Sequence, residues 1–272
     1  MKIVAFLQLY NELEKGNLER CLENCKIWAN DIVIYDDCST DGSFNFYLKY
    51  TDRKNIIVGK QNEFRKELFH KNELLKLALS LSPDWIGWMD GDAIFDRFTT
   101  ENIREVIDRA GNNDGIYFHY LNLWKSESWF RLDNQFNDLN ICGLWRNNGR
   151  LHYNPSESLH LQQFPIGIGQ VVISGREILH YGFSSREKII EKYLRYKACG
   201  QTGWALERLI QESQTYNISK APKDWYPINE IPKDYDFSPY PIPESYEDVT
   251  RYNSYEEYSK TKKSQINQVN KT

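Results

Sequence analysis

The chain has 272 residues, enough for one large α/β domain with or without an appendage. Hydrophobic residues make up 40% and charged residues 26%, an ordinary balance for a soluble globular protein. The formal net charge of −4 gives no reason to expect general nucleic-acid affinity. It says little about a small anionic ligand, which feels its local site and not the sum.

Residues 2–10 read as a buried strand, and the apolar stretch within it, Ile3 to Leu9, is too short for a secretory apolar region with a cleavage site. Nowhere does an apolar run approach the roughly 20 residues of a membrane helix. The expectation is a cytoplasmic protein, with peripheral attachment to a membrane left open. Apolar residues at Leu18, Cys21, Leu22, Cys25 and Trp28 predict a helix over 17–28. A second buried strand covers 31–35. It runs into a polar turn, Asp36 to Gly42, where Ser39, Thr40 and Asp41 can each cap the next helix. A short third strand covers 55–59. A helix over 66–81 puts Leu68, Leu74, Leu75, Ala78 and Leu79 on one face. The fourth strand, 85–89, leads directly into Asp90. Thr99 and Thr100 can cap a further helix that ends near Gly111, and 115–124 is a fifth strand. Short buried strands alternating with helices imply an α/β fold with a mainly parallel, doubly wound sheet.

The second half is less regular. Residues 126–165 mix Trp, Arg, Asn and Asp and read as an irregular or mixed β region around a site. A strand is expected over 169–174, and helix over 185–213 with a break near Gly200 to Gly203. From Pro222 the chain is rich in Pro and Tyr and poor in aliphatics, which predicts an extended C-terminal tail, disordered near its end. The expected division is a domain over 1–215, with halves 1–125 and 126–215, and a tail over 216–272. The five cysteines (Cys21, Cys25, Cys38, Cys142 and Cys199) have neither the count nor the spacing of a disulfide framework. Cys21 and Cys25 share a helix face without a second pair at zinc-site spacing. The 18 Tyr and 8 Trp suit core packing or stacking on sugar rings.

Two acidic clusters follow two strands: Asp36-Asp37-Cys38-Ser39-Thr40-Asp41-Gly42 after the second, and Asp90-Gly91-Asp92 after the fourth. In open α/β sheets ligands bind beyond the carboxyl ends of the strands. An Asp-rich turn can be purely structural, because Asp satisfies local backbone donors. Two carboxylates two residues apart repel each other, and a hard divalent cation with oxygen ligands relieves that repulsion. Such a cation can bridge to a diphosphate and neutralise a leaving group.

The segments DIVIYDDCSTDGS and DWIGWMDGDAIFD, in this order and spacing, resemble the family-2-type glycosyltransferases with the GT-A, Rossmann-like fold, of bacterial and viral type. The resemblance is specific over residues 2–125, looser to about 215 and absent beyond. It implies that Asp37 accepts the N3–H of a pyrimidine base, with uracil favoured, and that the backbone around Gln8 and Tyr10 lines the base pocket. It implies that Asp90-Gly91-Asp92 holds the donor diphosphate and the metal. Asp92 would be a direct ligand and Asp90 would touch the metal or the ribose. Lys71, with Asn72, resembles the family's Arg-Asn pair and would meet the diphosphate; otherwise it is a solvated helix lysine. His160 or His180 would complete the shell around Mn2+ or Mg2+, unless each is simply a structural histidine.

Further landmarks are WFRLD at 129–133, GLWRNNGRLHY at 143–153, SLHLQQFP at 158–165 and ILHYG at 178–182. Inverting enzymes need a carboxylate near the acceptor hydroxyl. Asp133 is the chosen base, with Glu157 and Asp138 as rivals and a salt bridge to Arg131 as the alternative reading. Arg146 and Arg150 could serve the diphosphate or the acceptor. The expected activity is transfer of a sugar from a nucleotide-diphosphate donor, a UDP-sugar favoured, to a hydroxyl on a glycan, glycolipid or glycoprotein. A sugar nucleotidyltransferase is disfavoured, because the stretch after the first strand has no glycine before Gly16. A non-catalytic glycan-binding module on the same fold stays open, as does the oligomeric state.

Overall fold

The computed structural model describes residues 1–133, 136, 139–154, 163–211, 213, 215–218 and 245–269. His160, Glu157 and Asp138 lie outside the described residues. The chain divides into two compact units. In its described parts the first comprises residues 1–121 and 139–180, and the second comprises the remainder.

The first unit is built on β1 (Ile3–Leu9), β2 (Asp31–Asp36), β3 (Ile56–Val58) and β4 (Trp85–Trp88). These run parallel, with β1 flanked by β2 and β4, and β3 outside β2. Their near-continuous burial is what a parallel sheet covered by helices demands, and it is why each reads as an unbroken apolar run. Helix α1 (Leu18–Trp28) buries Leu18, Cys21, Leu22, Cys25 and Trp28, the face expected from the sequence. Trp28 presses so closely on β4 that a Cβ at Gly87 would lie 2.7 Å from its ring. Only glycine fits there. The short α2 (Ser43–Tyr47) follows β2, and α3 (Glu67–Ser80) packs on β1 and β2.

After β4 come β5 (Ala93–Phe95), α4 (Arg97–Glu101), α5 (Ile103–Arg109) and β6 (Gly115–Trp124). Asp96, not Thr99 or Thr100, caps α4: its carboxylate accepts from the Thr99 backbone N–H at 2.9 Å and the Thr99 hydroxyl at 2.6 Å. The strand expected over 115–124, β6, does not lie directly beside β4. Between them sits β8 (Asn140–Arg146), antiparallel to both, giving the order β6-β8-β4-β1-β2-β3. The irregular stretch of the sequence thus supplies a central strand to a mixed α/β sheet whose parallel half carries both acidic clusters.

Strand β9 (Val171–Phe183) is much longer than the six residues expected. It pairs with β6 and, antiparallel, with β5. The register sets Ala93 opposite His180, Ile94 opposite Leu179 and Phe95 opposite Ile178.

The second unit holds the end of β6, β7 (Trp129–Arg131), the end of β9, α6 (Arg186–Ala198), α7 (Trp204–Glu207) and β10 (Thr215–Asn217), which pairs with β7. Helix α6 is capped by Ser185, whose hydroxyl accepts from the Lys188 N–H at 3.2 Å. Residues 245–269 are helical and packed, not extended: they form α8 (Glu247–Thr250) and α9 (Tyr255–Val269). Tyr246, Val249, Tyr252 and Tyr258 share a core with Ile189, Ile190, Tyr193 and Leu194 of α6. Arg186 pairs with Asp248 at 3.1 Å, and the Lys197 ammonium donates to the Thr250 and Tyr252 carbonyls at 2.8 Å each. Tyrosines here do the work that aliphatics do elsewhere, burying their rings at this core.

No helix among the described residues is long and apolar enough to cross a membrane. Val249 is fully buried. Val249→Asp, which places an unpaired carboxylate in that core, is expected to cost roughly 3 kcal/mol or more. Thermal denaturation followed by circular dichroism should show a drop of several degrees, and the exposed Lys263→Ala should show none.

Candidate active site

Because β1, β2 and β4 are parallel, their carboxyl ends share one edge. Leu9 pairs with Asp36 and Phe6 pairs with Trp88, so both acidic clusters emerge beside the end of β1. The loops after β1 and β2 are tied together. The Asn11 N–H donates to Ser39 Oγ at 2.9 Å, and the Thr40 N–H donates to Asn11 Oδ1 at 2.8 Å. The Glu14 N–H donates to Asp41 Oδ2 at 2.9 Å, and Asp41 Oδ1 accepts from the Ser43 N–H at 3.0 Å. Asp41 thereby supports the start of α2, while Gly42 occupies the cap position with φ of 90°.

The two members of Asp36-Asp37 differ in role. Asp36 closes its own turn by accepting from the Ser39 N–H and hydroxyl and from the Tyr47 hydroxyl. Asp37, only 3% exposed, accepts from the Asn62 amide at 2.9 Å and the Glu63 N–H at 3.0 Å. Burial raises both carboxyls above the usual range. Asp37 is pushed up to about 6, although the Glu63 N–H pulls the other way.

Gln8 and Tyr35 are register partners on β1 and β2. The His70 ring, at the start of α3, stacks on Tyr35 with centroids 4.2 Å apart and planes 12° apart. Burial shifts His70 below the ordinary histidine value by disfavouring its charged form. Tyr10 is half-buried at the exit of β1, and its carbonyl accepts from the Lys15 ammonium at 3.0 Å.

The Asp90-Gly91-Asp92 turn is held from several sides. The Ala93 N–H donates to the Asp90 carbonyl at 3.0 Å. Cys21 Sγ approaches the same carbonyl at 3.4 Å from α1. A Cβ on Gly91 would lie 2.6 Å from Glu12 Cγ and 2.7 Å from Leu9 Cδ2, so a side chain at this position has no room. The Tyr120 hydroxyl donates to Asp90 Oδ2 at 3.1 Å. His180 Nε2 lies 3.3 Å from Asp92 Oδ2, and the His180 ring rests against Tyr120 with centroids 5.0 Å apart. Asp90, Asp92, Tyr120 and His180 therefore form one connected group.

Of the residues singled out from sequence, Gln8, Tyr10, Asp37, Asp90, Gly91, Asp92 and His180 all belong to this strand-end region of the first unit. Lys71 does not present its charge as expected. It is 1% exposed, and its ammonium pairs with Glu67 at 2.5 Å and lies 5.8 Å from the Trp88 ring centroid. It is a buried ion-pair partner and not a solvated or phosphate-facing cation. Arg146 and Arg150 are also corrected. Arg146 pairs with Trp85, the first residue of β4, so it sits at the opposite end of that strand from Asp90. Both arginines lean on Asp114, at 3.8 and 3.5 Å.

Asp133 belongs to the second unit. Its carboxylate receives a two-pronged contact from Arg131, Nε to Oδ1 at 2.7 Å and Nη2 to Oδ2 at 2.8 Å. The Arg131 guanidinium is fully buried between Trp124 and Phe136, 4.3 Å from each ring centroid. The salt bridge considered from sequence is thus formed. Tyr120 escaped sequence reading because nothing local marks one tyrosine in an apolar strand.

Among the described residues no group of three or more His, Cys, Asp or Glu side chains is gathered as a complete metal cage. Asp92 and His180 are the pair that could contribute to one.

The acidic turns after β2 and β4 lie at the carboxyl ends of parallel strands, the edge at which open α/β sheets bind ligands. Residues 6–154 match the profile of the family described as glycosyl transferase family 2. The chain belongs to that family. Among solved structures it resembles S. aureus TarS at 14% identity and a TM-score of 0.46, covering 77% of this chain and 42% of that one. It also resembles TarS 1–349 in complex with UDP-GlcNAc at 16% identity and a TM-score of 0.47, covering 80% of this chain and 69% of that one. The chain thus spans less than half the length of the longer TarS chain. A search of curated protein sequences finds no match.

The raised Asp37 carboxyl has a consequence for the ligand-free protein. A carboxyl whose folded value is about 6 favours the folded state most below the ordinary value near 3.8. That advantage is lost as pH rises through about 6. Asp37→Asn removes the titration. The variant should melt higher than wild type at pH 8, with the gain shrinking toward pH 4; a constant difference across that range would contradict the assignment.

Proposed function

We propose that the protein transfers a sugar from a nucleotide-diphosphate donor, a UDP-sugar favoured, to a hydroxyl of a glycan or glycoconjugate acceptor, with inversion at the anomeric carbon. The observation that most directly supports this is the contact of Asp92 with His180 beyond β4, on the same sheet edge as the buried Asp37 beyond β2. Asp37 accepts the N–H of the base, and the backbone around Gln8 and Tyr10 flanks it. Asp90-Gly91-Asp92 receives the diphosphate.

A divalent cation, Mn2+ or Mg2+, fits the donor set. Two ligand atoms bound side by side to one ion at about 2.1 Å each lie roughly 3 Å apart, and Asp92 Oδ2 and His180 Nε2 are 3.3 Å apart. A shell with two protein ligands among the described residues suits an ion shared with substrate phosphates and water. When bound, such an ion neutralises charge on the departing diphosphate. Tyr120 keeps Asp90 oriented. Asp133, oriented by Arg131, is the base that takes the proton from the acceptor hydroxyl as it attacks the anomeric carbon. Lys71 has no part in the reading.

Two experiments test it. Sugar transfer from a UDP-sugar should require Mn2+ or Mg2+ and vanish in Asp92→Ala. His180→Ala should raise the Mn2+ concentration needed at least tenfold, and Tyr120→Phe should raise it several-fold. Full turnover in Asp92→Ala would remove the metal assignment. Asp133→Asn should retain UDP binding and lose transfer by at least a hundredfold. Unchanged turnover would leave Asp133 only its salt bridge.

A further inference from the structure

Strand β5 carries Asp92 to its place beside His180, yet it is only three residues long. One of its edges pairs with β9. In an antiparallel ladder a residue turns its N–H and C=O to the same side, and successive residues alternate. The Asp96 N–H donates to the Glu177 carbonyl at 3.0 Å, so both polar groups of Phe95 point away from β9. Phe95 is fully buried, and backbone groups left unpaired there are unfavourable. The Asn24 carboxamide on α1 takes both. The Phe95 N–H donates to Oδ1, and Nδ2 donates to the Phe95 carbonyl, each at 3.3 Å. A side-chain amide stands where a neighbouring strand would.

Asn24 is used to capacity. Its Oδ1 also accepts from Trp28 Nε1 at 3.1 Å, and its Nδ2 also donates to Thr100 Oγ1 at 2.8 Å. Two donated and two accepted bonds are all that a carboxamide makes. The Thr100 hydroxyl in turn lies 2.8 Å from the Asp96 carbonyl and 3.1 Å from that of Phe95. Cys21, Asn24 and Trp28 are spaced by three and four residues and share one stripe of α1. Cys21 meets the Asp90 carbonyl, and the Trp28 ring meets the Phe95 ring edge-on with centroids 5.3 Å apart. Helix α1 thus holds both ends of residues 90–95, and Asp92 lies between them.

We propose that Asn24 is a positioning residue for the divalent cation: by tying β5 to α1 it keeps Asp92 within coordinating distance of His180. The inference rests on the metal reading above and goes beyond it, because Asn24 acts through β5 and not by contact with the ion. Asp92 directly precedes Ala93, the register partner of His180. A displacement of β5 on β9 therefore alters the 3.3 Å separation of Asp92 Oδ2 and His180 Nε2. Asn24→Asp changes one group at constant shape. Oδ1 keeps both of its donors, while an oxygen replaces the NH2 that faces the Phe95 carbonyl. Two acceptors then oppose each other, and β5 moves to relieve them.

The test is a Mn2+ titration followed by electron paramagnetic resonance of the free ion, with and without UDP and against a protein-free blank. It compares wild type with Asn24→Asp, Thr100→Val and Ala78→Gly. Urea denaturation gives the stability of each. Ala78 is buried on α3, away from β5, so Ala78→Gly weakens the same unit without touching the proposed link. Asn24→Asp is expected to weaken Mn2+ binding by the folded protein about tenfold, as loss of an outer support does at metal sites. Ala78→Gly should lose stability and bind Mn2+ as wild type does. Thr100→Val removes one partner of Asn24 and should weaken Mn2+ binding to a smaller extent; it carries the test if Asn24→Asp does not fold. Unchanged Mn2+ binding in the folded Asn24→Asp protein, or in Thr100→Val where that variant carries the test, overturns the inference. So does an equal weakening in Ala78→Gly, which would make the effect one of stability alone. If wild type binds Mn2+ neither alone nor with UDP, the metal reading itself falls, and the inference with it.

Discussion

The pairing of β5 with β9 is the constraint on which the acidic site depends. It sets His180 opposite Ala93, and Ala93 directly follows Asp92. A carboxylate and an imidazole remote in sequence are thus brought within 3.3 Å by backbone register alone. Strand side chains alternate between faces, so a slip of one residue would turn His180 away. The apolar neighbours Ile178, fully buried, and Phe95 oppose such a slip. Packing of two hydrophobic residues thereby fixes the geometry of two polar ones.

The site also divides labour among its carboxylates. Asp36 satisfies the turn that carries Asp37, and the hydrogen bonds it collects keep a buried acid tolerable. Asp37 has fewer compensations relative to its burial and stands further from its ordinary value. Asp90 is steadied by a phenol and Asp92 by an imidazole. Each acid is oriented by a different neighbour, so the four are not interchangeable although all lie at strand ends.

Much of this was legible in the sequence, for a physical reason. Buried parallel strands read as continuous apolar runs, and polar residues directly after them stand out. That made β1, β2 and β4 and the two acidic turns readable. Strand β8 was not, since its Asn, Cys and Gly give neither alternation nor an apolar run, and its place between β4 and β6 depends on distant partners. Tyr120 was invisible because its role exists only across strands. Lys71 was misjudged although a signal was present: Glu67 lies four residues before it, the spacing at which helix side chains of opposite charge meet. Residues 245–269 were misread because tyrosines and one valine, not leucines, form their buried face.

Gly91 restricts how this site can vary over time. Its neighbours Glu12 and Leu9 come from the loop and strand at the start of the chain. The central position of the acidic triplet is therefore sterically tied to both of them. A larger residue there requires both the Glu12 and the Leu9 side chains to give way. Geometry thus couples three residues that share no common motif.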